Sequence, residues 1–188
     1  MCLGAILTQN TAWTNVEKAL RRVRAAGRLS FEGLSTLSDA RLAALFRPSG
    51  TYRVKARRVR AFLSFIESRY GGRVEGMSRE APEELRRQLL AVDGIGPETA
   101  DSIALYAAGH PVFVVDAYTR RIFSRLGLLA GGESYGDVQR FFLRRLPRDA
   151  ALFNEYHAQI VRLAKEHCRA RPLCSACPLE PVCPRRGI

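Results

Sequence analysis

Apolar residues return every three or four positions along nearly the whole chain, and that spacing leaves room for little besides α-helix. Trp13, Val16, Leu20 and Val23 share one helical face, with Gly27 following as a C-terminal cap. Val59, Phe62, Leu63 and Ile66 repeat the pattern until Gly71 and Gly72 stop it. Leu85, Leu89 and Leu90 line a helix opened by Pro82, and Ile103, Ala104 and Ala107 line one that ends at Gly109. The spacing predicts further helices over 116–127, 135–146 and 150–167. The one strand-like run, residues 112–115, is too short to found a sheet. The expected fold class is all-α. Junctions such as Arg47-Pro48-Ser49-Gly50 read as turns, while the clearest change of character follows Gly109-His110-Pro111. Two domains are therefore expected, a helical one over 1–110 and a C-terminal one over 111–188.

Residues 92–99, VDGIGPET, join two of these helices. Two glycines permit backbone angles that a Cβ forbids, and Pro97 suits the first position of a helix. Such a turn aims backbone amides and a helix N-terminus at one spot, which attracts a phosphate. The pattern is that of a helix-hairpin-helix, which holds DNA by its backbone without reading bases; an ordinary glycine-capped connection fits it equally well. Downstream, in VVDAYTRRI, Asp116 stands where a helix N-cap belongs. A carboxylate there is also suited to a flipped nucleotide. It would stabilise the cationic sugar formed as an N-glycosidic bond breaks, and orient or deprotonate the attacking water.

Four of the five cysteines crowd the C-terminus as C-x5-C-x2-C-x5-C: Cys168, Cys174, Cys177 and Cys183. A reducing compartment disfavours disulfides. Structural zinc usually takes two close pairs, and only one C-x2-C exists here, so a [4Fe–4S] cluster suits the spacing better, with zinc as the alternative. Arg169 and Arg171 lie within the first cysteine loop, placed to meet phosphate. Cys2, alone near an apolar start, reads as a small core residue.

Charge narrows the class of partner. The chain of 188 residues carries 30 basic and 18 acidic side chains, a formal charge of +12, and all the basic residues except Lys18, Lys55 and Lys165 are arginine. This excess points to a polyanion, nucleic acid first. No run of about 18 apolar residues exists to span a membrane. MCLGAIL lacks the basic leader and length of a signal peptide, so a cytoplasmic, monomeric protein is expected.

Taken together these features resemble the endonuclease III group of helix-hairpin-helix DNA glycosylases, over essentially the whole chain. VDGIGPETA is similar to that family's Gly-hydrophobic-Gly hairpin, and VVDAY to the segment bearing its catalytic aspartate. LTQNTAW resembles the LxxQxT-type segment whose glutamine fills the gap left by an extruded base, a role that falls to Gln9. GTYRVKA, residues 50–56, resembles a second loop that wedges into the duplex, bringing in Thr51, Tyr52 and Lys55. The resemblance implies two helical lobes with Asp116 in the cleft between them, a [4Fe–4S] cluster on the four cysteines, and double-stranded DNA with a damaged base as substrate. Gly94, Gly96, Arg169 and Arg171 would join Gln9, Thr51, Tyr52 and Lys55 on the DNA. Trp13 and Tyr118 would either stack on a base or belong to the core.

Four departures stand against the family pattern. Its first cysteine spacing is usually one residue longer, its leading helix would precede residue 1, and polar Thr51 replaces an apolar wedge side chain. The fourth decides the chemistry: Glu98 occupies the position where bifunctional members carry a lysine. Those enzymes attack the sugar with an amine, which Glu98 cannot supply. A monofunctional glycosylase using water and Asp116 is expected. LTQNTAWTNVEKAL and GIGPETADSI are also similar to the 3-methyladenine glycosylase branch, which favours an alkylated purine. The alternatives are a bifunctional enzyme acting on oxidised pyrimidines with lyase activity, a damage-binding paralogue without catalysis, and a zinc-stapled DNA-binding protein.

Overall fold

The computed structural model describes residues 1–188 and contains helices but no β-strand. It divides into two compact units, Met1–His110 and Pro111–Ile188. The first unit holds α1 (Cys2–Leu7), α2 (Trp13–Ala25), α3 (Phe31–Ser35), α4 (Asp39–Phe46), α5 (Tyr52–Tyr70), α6 (Pro82–Leu90) and α7 (Pro97–Tyr106). The second holds α8 (Ala117–Arg125), α9 (Tyr135–Leu143), α10 (Ala150–Glu166) and a C-terminal tail with two short 3-10 turns, Cys174–Ala176 and Glu180–Val182.

Local chemistry sets most helix ends. Ser30 and Ser38 accept hydrogen bonds from the amides of Gly33 and Arg41, capping α3 and α4. Ser134 and Asp137 form a capping box on α9, and Asp149 caps α10 through the Leu152 amide at 2.6 Å. Gly71, at φ +57°, ends α5 in the left-handed conformation.

In the first unit, Val16, Leu42, Phe46, Val59, Ile66, Leu85, Leu89 and Ile103 are almost wholly buried, as helical spacing predicts for most of them. Four positions depart from that reading. Trp13 at the start of α2 is 44% exposed, Leu90 at the end of α6 is 36% exposed, Ala107 just past α7 is half-buried, and Leu20 within α2 is half-buried, with Ala19 joining Val16 and Val23 on the buried face. Trp13, Leu90 and Ala107 escape the face that periodicity assigns them because at helix termini their neighbours along the axis are missing.

The second unit is built around aromatic rings. Phe113 stacks on Phe142 with centroids 4.0 Å apart and meets Phe153 edge-on at 5.5 Å. Residues 112–115 run extended and buried but pair with no strand. Side chains of α9 serve their backbone: Tyr135 Oη accepts from the Val115 amide at 3.3 Å and Gln139 Nε2 donates to the Phe113 carbonyl at 2.8 Å. A buried connector needs its amides and carbonyls satisfied, and here side chains do what a sheet would.

Candidate active site and nucleic-acid interface

The turn between α6 and α7 is tight, and its two glycines differ in kind. Gly94 sits at φ +77°, and a Cβ there would come within 2.3 Å of Arg58 Cγ. Gly96 is extended at φ −90°, ψ 177°, and a Cβ there would meet nothing within 4 Å. The expectation that both glycines serve the backbone is therefore correct for Gly94 and wrong for Gly96, whose conformation any residue adopts. What Gly96 leaves is clear space at the N-terminus of α7, where no side chain caps the helix. That arrangement suits close approach of an anion. Behind the turn, Arg86 Nε donates to the fully buried Asp101 carboxylate at 2.7 Å and braces α6 against α7.

Gln9 is tied to this turn. Its Nε2 donates to the Gly94 carbonyl at 3.0 Å and to Thr99 Oγ at 2.9 Å, and its Oε1 accepts from Arg58 Nη1 at 2.5 Å. Three segments distant in sequence, around residues 9, 58 and 94–99, thus meet at one side-chain amide. Arg58 stands in no motif, and Thr99, although it closes the hairpin motif, carries no sign in the sequence that it meets Gln9.

Lys55 does not reach outward. Position 55 falls on the apolar face of α5 with Val59, Phe62 and Ile66, and the side chain is 1% exposed. Its ammonium donates to the Leu7 carbonyl at 2.7 Å and the Ser49 carbonyl at 2.5 Å. Burial, with Arg58 nearby, pushes its pKa below the ordinary lysine value. Its assignment to DNA binding is therefore overturned: the helix begins at Tyr52, so a residue three positions on turns inward. The ammonium instead clasps the segments that end two residues before Gln9 and two before Thr51. Thr51 itself is exposed and left-handed at φ 35°, ψ 34°. Only three non-glycine residues have positive φ, and two of them, Asn10 and Thr51, lie beside or at the candidate interrogation residues. A β-branched residue held there is strained, a condition that concentrates at functional positions. Tyr52, half-buried, follows directly.

Asp116 caps α8. Its Oδ1 accepts from the Thr119 amide at 2.7 Å and the Thr119 hydroxyl at 2.8 Å, while Oδ2 lies 3.5 Å from His157 Nε2 on α10. Burial pushes the carboxyl's pKa up, but the His157 imidazole beside it and the hydrogen bonds it accepts from Thr119 outweigh this and hold the group below its ordinary value. The carboxylate is thus ionised, oriented and only 13% exposed. His157 was not foreseen; a lone histidine in an amphipathic helix carries no sequence signal. Glu98 is exposed in the first turn of α7, where its charge complements the helix dipole. Tyr118 has the Arg121 guanidinium 5.1 Å from its ring centroid, which takes one of its faces.

The four C-terminal cysteines line one small pocket together with Arg125 and His167. They do not gather around a point: no three or more His, Cys, Asp or Glu side chains stand close enough to hold a single metal ion. Four thiols lining one pocket are a donor set of the kind that an iron–sulfur cluster takes. Arginines of α8 hold this tail in place. Arg121 Nε donates to the Cys168 carbonyl at 2.8 Å, and Arg125 donates to the carbonyls of Arg169 and Ala170 and lies 3.4 Å from Cys168 Sγ. Arg169 and Arg171 are exposed, with Arg169 Nε donating to the Lys165 carbonyl at 2.7 Å.

Comparison with known proteins agrees with this geometry. The family model for the HhH-GPD superfamily of base excision DNA repair proteins matches residues 3–148. A protein of Methanocaldococcus jannaschii provisionally named a DNA repair glycosylase is 42% identical over 96% of this chain and 83% of its own length. Endonuclease III in a non-covalent complex with DNA superposes with a TM-score of 0.82 at 23% identity, covering 98% of this chain and 81% of that one. A 3-methyladenine DNA glycosylase of H. pylori bound to 1,N6-ethenoadenine superposes with a TM-score of 0.75 at 28% identity, covering 88% and 83%. The chain belongs to the HhH-GPD superfamily of base excision DNA repair proteins and is an endonuclease III-like DNA glycosylase.

Proposed function

We propose that this protein is a monofunctional glycosylase that hydrolyses the N-glycosidic bond of a flipped alkylated purine in double-stranded DNA. The observation that carries the reading is the absence of a suitable amine. By the resemblance of the hairpin, Glu98 falls at the position of the family's nucleophilic lysine, and Lys55 is sealed in the core with its ammonium on two carbonyls. Lys18 and Lys165 are exposed on α2 and α10. Water is then the nucleophile. As the bond from base nitrogen to C1′ breaks, the electron pair leaves with the base and positive charge develops on the sugar. The Asp116 carboxylate stabilises that charge and takes the proton of the water whose oxygen bonds to C1′. Thr119 and His157 hold the carboxylate in one orientation during the step. An alkylated purine already carries positive charge and leaves as a neutral base, so little acid assistance is needed. The likeness to a 3-methyladenine glycosylase supports this choice.

Gln9 and Thr51 would enter the duplex, and the hairpin amides around Gly96 would grip a phosphate. Cys168, Cys174, Cys177 and Cys183 would hold a [4Fe–4S] cluster, which supplies a rigid staple for a loop displaying Arg169 and Arg171, with no redox step. The test is a panel of duplexes, each with one lesion, scored separately for base release and strand nicking. Release of an alkylated purine without nicking is the expected result. Robust borohydride trapping of a protein–DNA adduct would sink the monofunctional reading.

A further inference from the structure

Lys18, Arg21 and Arg22 lie at i, i+3 and i+4 on α2 and share one face. Arg47, from the 3-10 turn Arg47–Ser49, stands across from them, and with Pro48 these side chains border an open groove of about 510 Å³. Four cations around one space repel one another. Glu17 reaches Arg21 at 3.6 Å, but both side chains are largely exposed and the pair offsets little. None of the residues around the hairpin, Gln9 or Asp116 borders this groove. Its cationic lining serves no packing role, since all four charged side chains face solvent. A concave surface of uncompensated guanidinium and ammonium groups is chemically matched to phosphodiester oxygens, which Arg engages through paired N–H donors.

The groove's place in the chain identifies which phosphates. Arg47 precedes Thr51 by four residues, a span of at most about 14 Å. One strand carries a charge every ~3.4 Å of helix axis, so the groove lies within roughly four base pairs of the point where the Thr51 loop would enter. We propose that it is a second duplex-binding surface, a cradle for the phosphodiester backbone of one strand flanking the damaged site. This rests on the reading of Thr51 as part of the loop that engages DNA. The groove would grip every sequence alike and lengthen the footprint beyond the hairpin.

The experiment uses undamaged DNA, so that it stands apart from any test of base release. Binding is measured against salt for a duplex just long enough to cover the hairpin and Thr51 loop, and for the same duplex extended by about ten base pairs, one helical turn, on each side. Wild-type protein should show a steeper salt dependence on the long duplex, by up to ~3.6 in slope if all four cations meet phosphates. A variant with Lys18→Gln, Arg21→Gln, Arg22→Gln and Arg47→Gln should lose that difference while binding the short duplex within about twofold of wild type, a change of roughly 0.4 kcal/mol. Its circular dichroism and melting should be unchanged, because the four side chains are exposed. Equal slopes for variant and wild type on the long duplex overturn the proposal. So does an equal loss when the same charge is removed at Arg73, Arg79, Arg144 and Arg162, since net charge alone would then explain the effect. A lesion panel without any base release would overturn the enzymatic reading and leave this comparison intact.

Discussion

At the scale of single residues, Asp116 caps α8 and, in the proposed reaction, also faces the sugar, two tasks that an amide separates. Asn at 116 retains an oxygen for the Thr119 amide but no charge for the sugar or for His157. Asp116→Asn should bind duplex nearly as well as wild type and lose base release by more than about tenfold, ~1.4 kcal/mol of barrier, in single-turnover measurements. The depressed pKa fixes the sign of the pH dependence. The folded value lies below the unfolded one, so the carboxylate contributes stability above the unfolded value and loses it as pH falls through the folded one. In acid titrations the stability difference between wild type and Asp116→Asn should therefore shrink below the ordinary aspartate value of 3.8. Lys55 gives a second prediction. Lys55→Met keeps the stem but leaves the Leu7 and Ser49 carbonyls without their donor, and should destabilise the protein by about 1–3 kcal/mol in denaturant melts. It should also weaken lesion binding, since the clasp spaces Gln9 from Thr51.

At the scale of elements, the hairpin predicts two opposite outcomes for two glycines separated by a single residue. Gly94→Ala forces a side chain into φ +77° and against Arg58, and should cost about 1–3 kcal/mol of stability. A Cβ added at Gly96 meets nothing within 4 Å, so the melt of Gly96→Val should stay within about 0.5 kcal/mol of wild type. It should nonetheless weaken binding to damaged and undamaged duplexes alike, because phosphates carry no lesion information. A changed lesion preference with full affinity for plain DNA would contradict that view of the turn. In the tail, Arg125→Met removes the donor to the Arg169 and Ala170 carbonyls and the cation nearest Cys168. Its visible absorption should bleach faster under chelator than that of wild type, and metal analysis of the wild type should find about four iron per chain in place of zinc.

At the scale of the whole molecule, the all-helical class and most helix positions were legible because a 3.6-residue period survives in almost every segment. Residues 112–115 show where periodicity stops informing: four buried apolar residues say nothing about what satisfies their backbone, and only Tyr135 and Gln139 in the folded chain answer it. The candidate residues Gln9, Gly94 and Asp116 were legible because a motif carries each. The contacts that hold the candidate site and the cysteine tail were not, because their partners arrive from afar, as Arg58, Thr99, His157 and Arg125 do. Lys55 was misread because a loop motif was extended one turn into a helix, although its register with Val59 and Phe62 was already present in the sequence. The bonds of Gln9 carry one more consequence. Without DNA the glutamine is quenched by its own protein, and entering a duplex means surrendering three hydrogen bonds worth on the order of 0.5–1.5 kcal/mol each. Intact DNA, with no vacancy to fill, offers nothing in exchange, whereas an extruded nucleotide leaves an orphaned partner base that does. On the proposed role of Gln9, these bonds would keep the protein from inserting along undamaged DNA, and Thr99→Val, which cancels one of the three, should narrow the affinity ratio between damaged and intact duplexes.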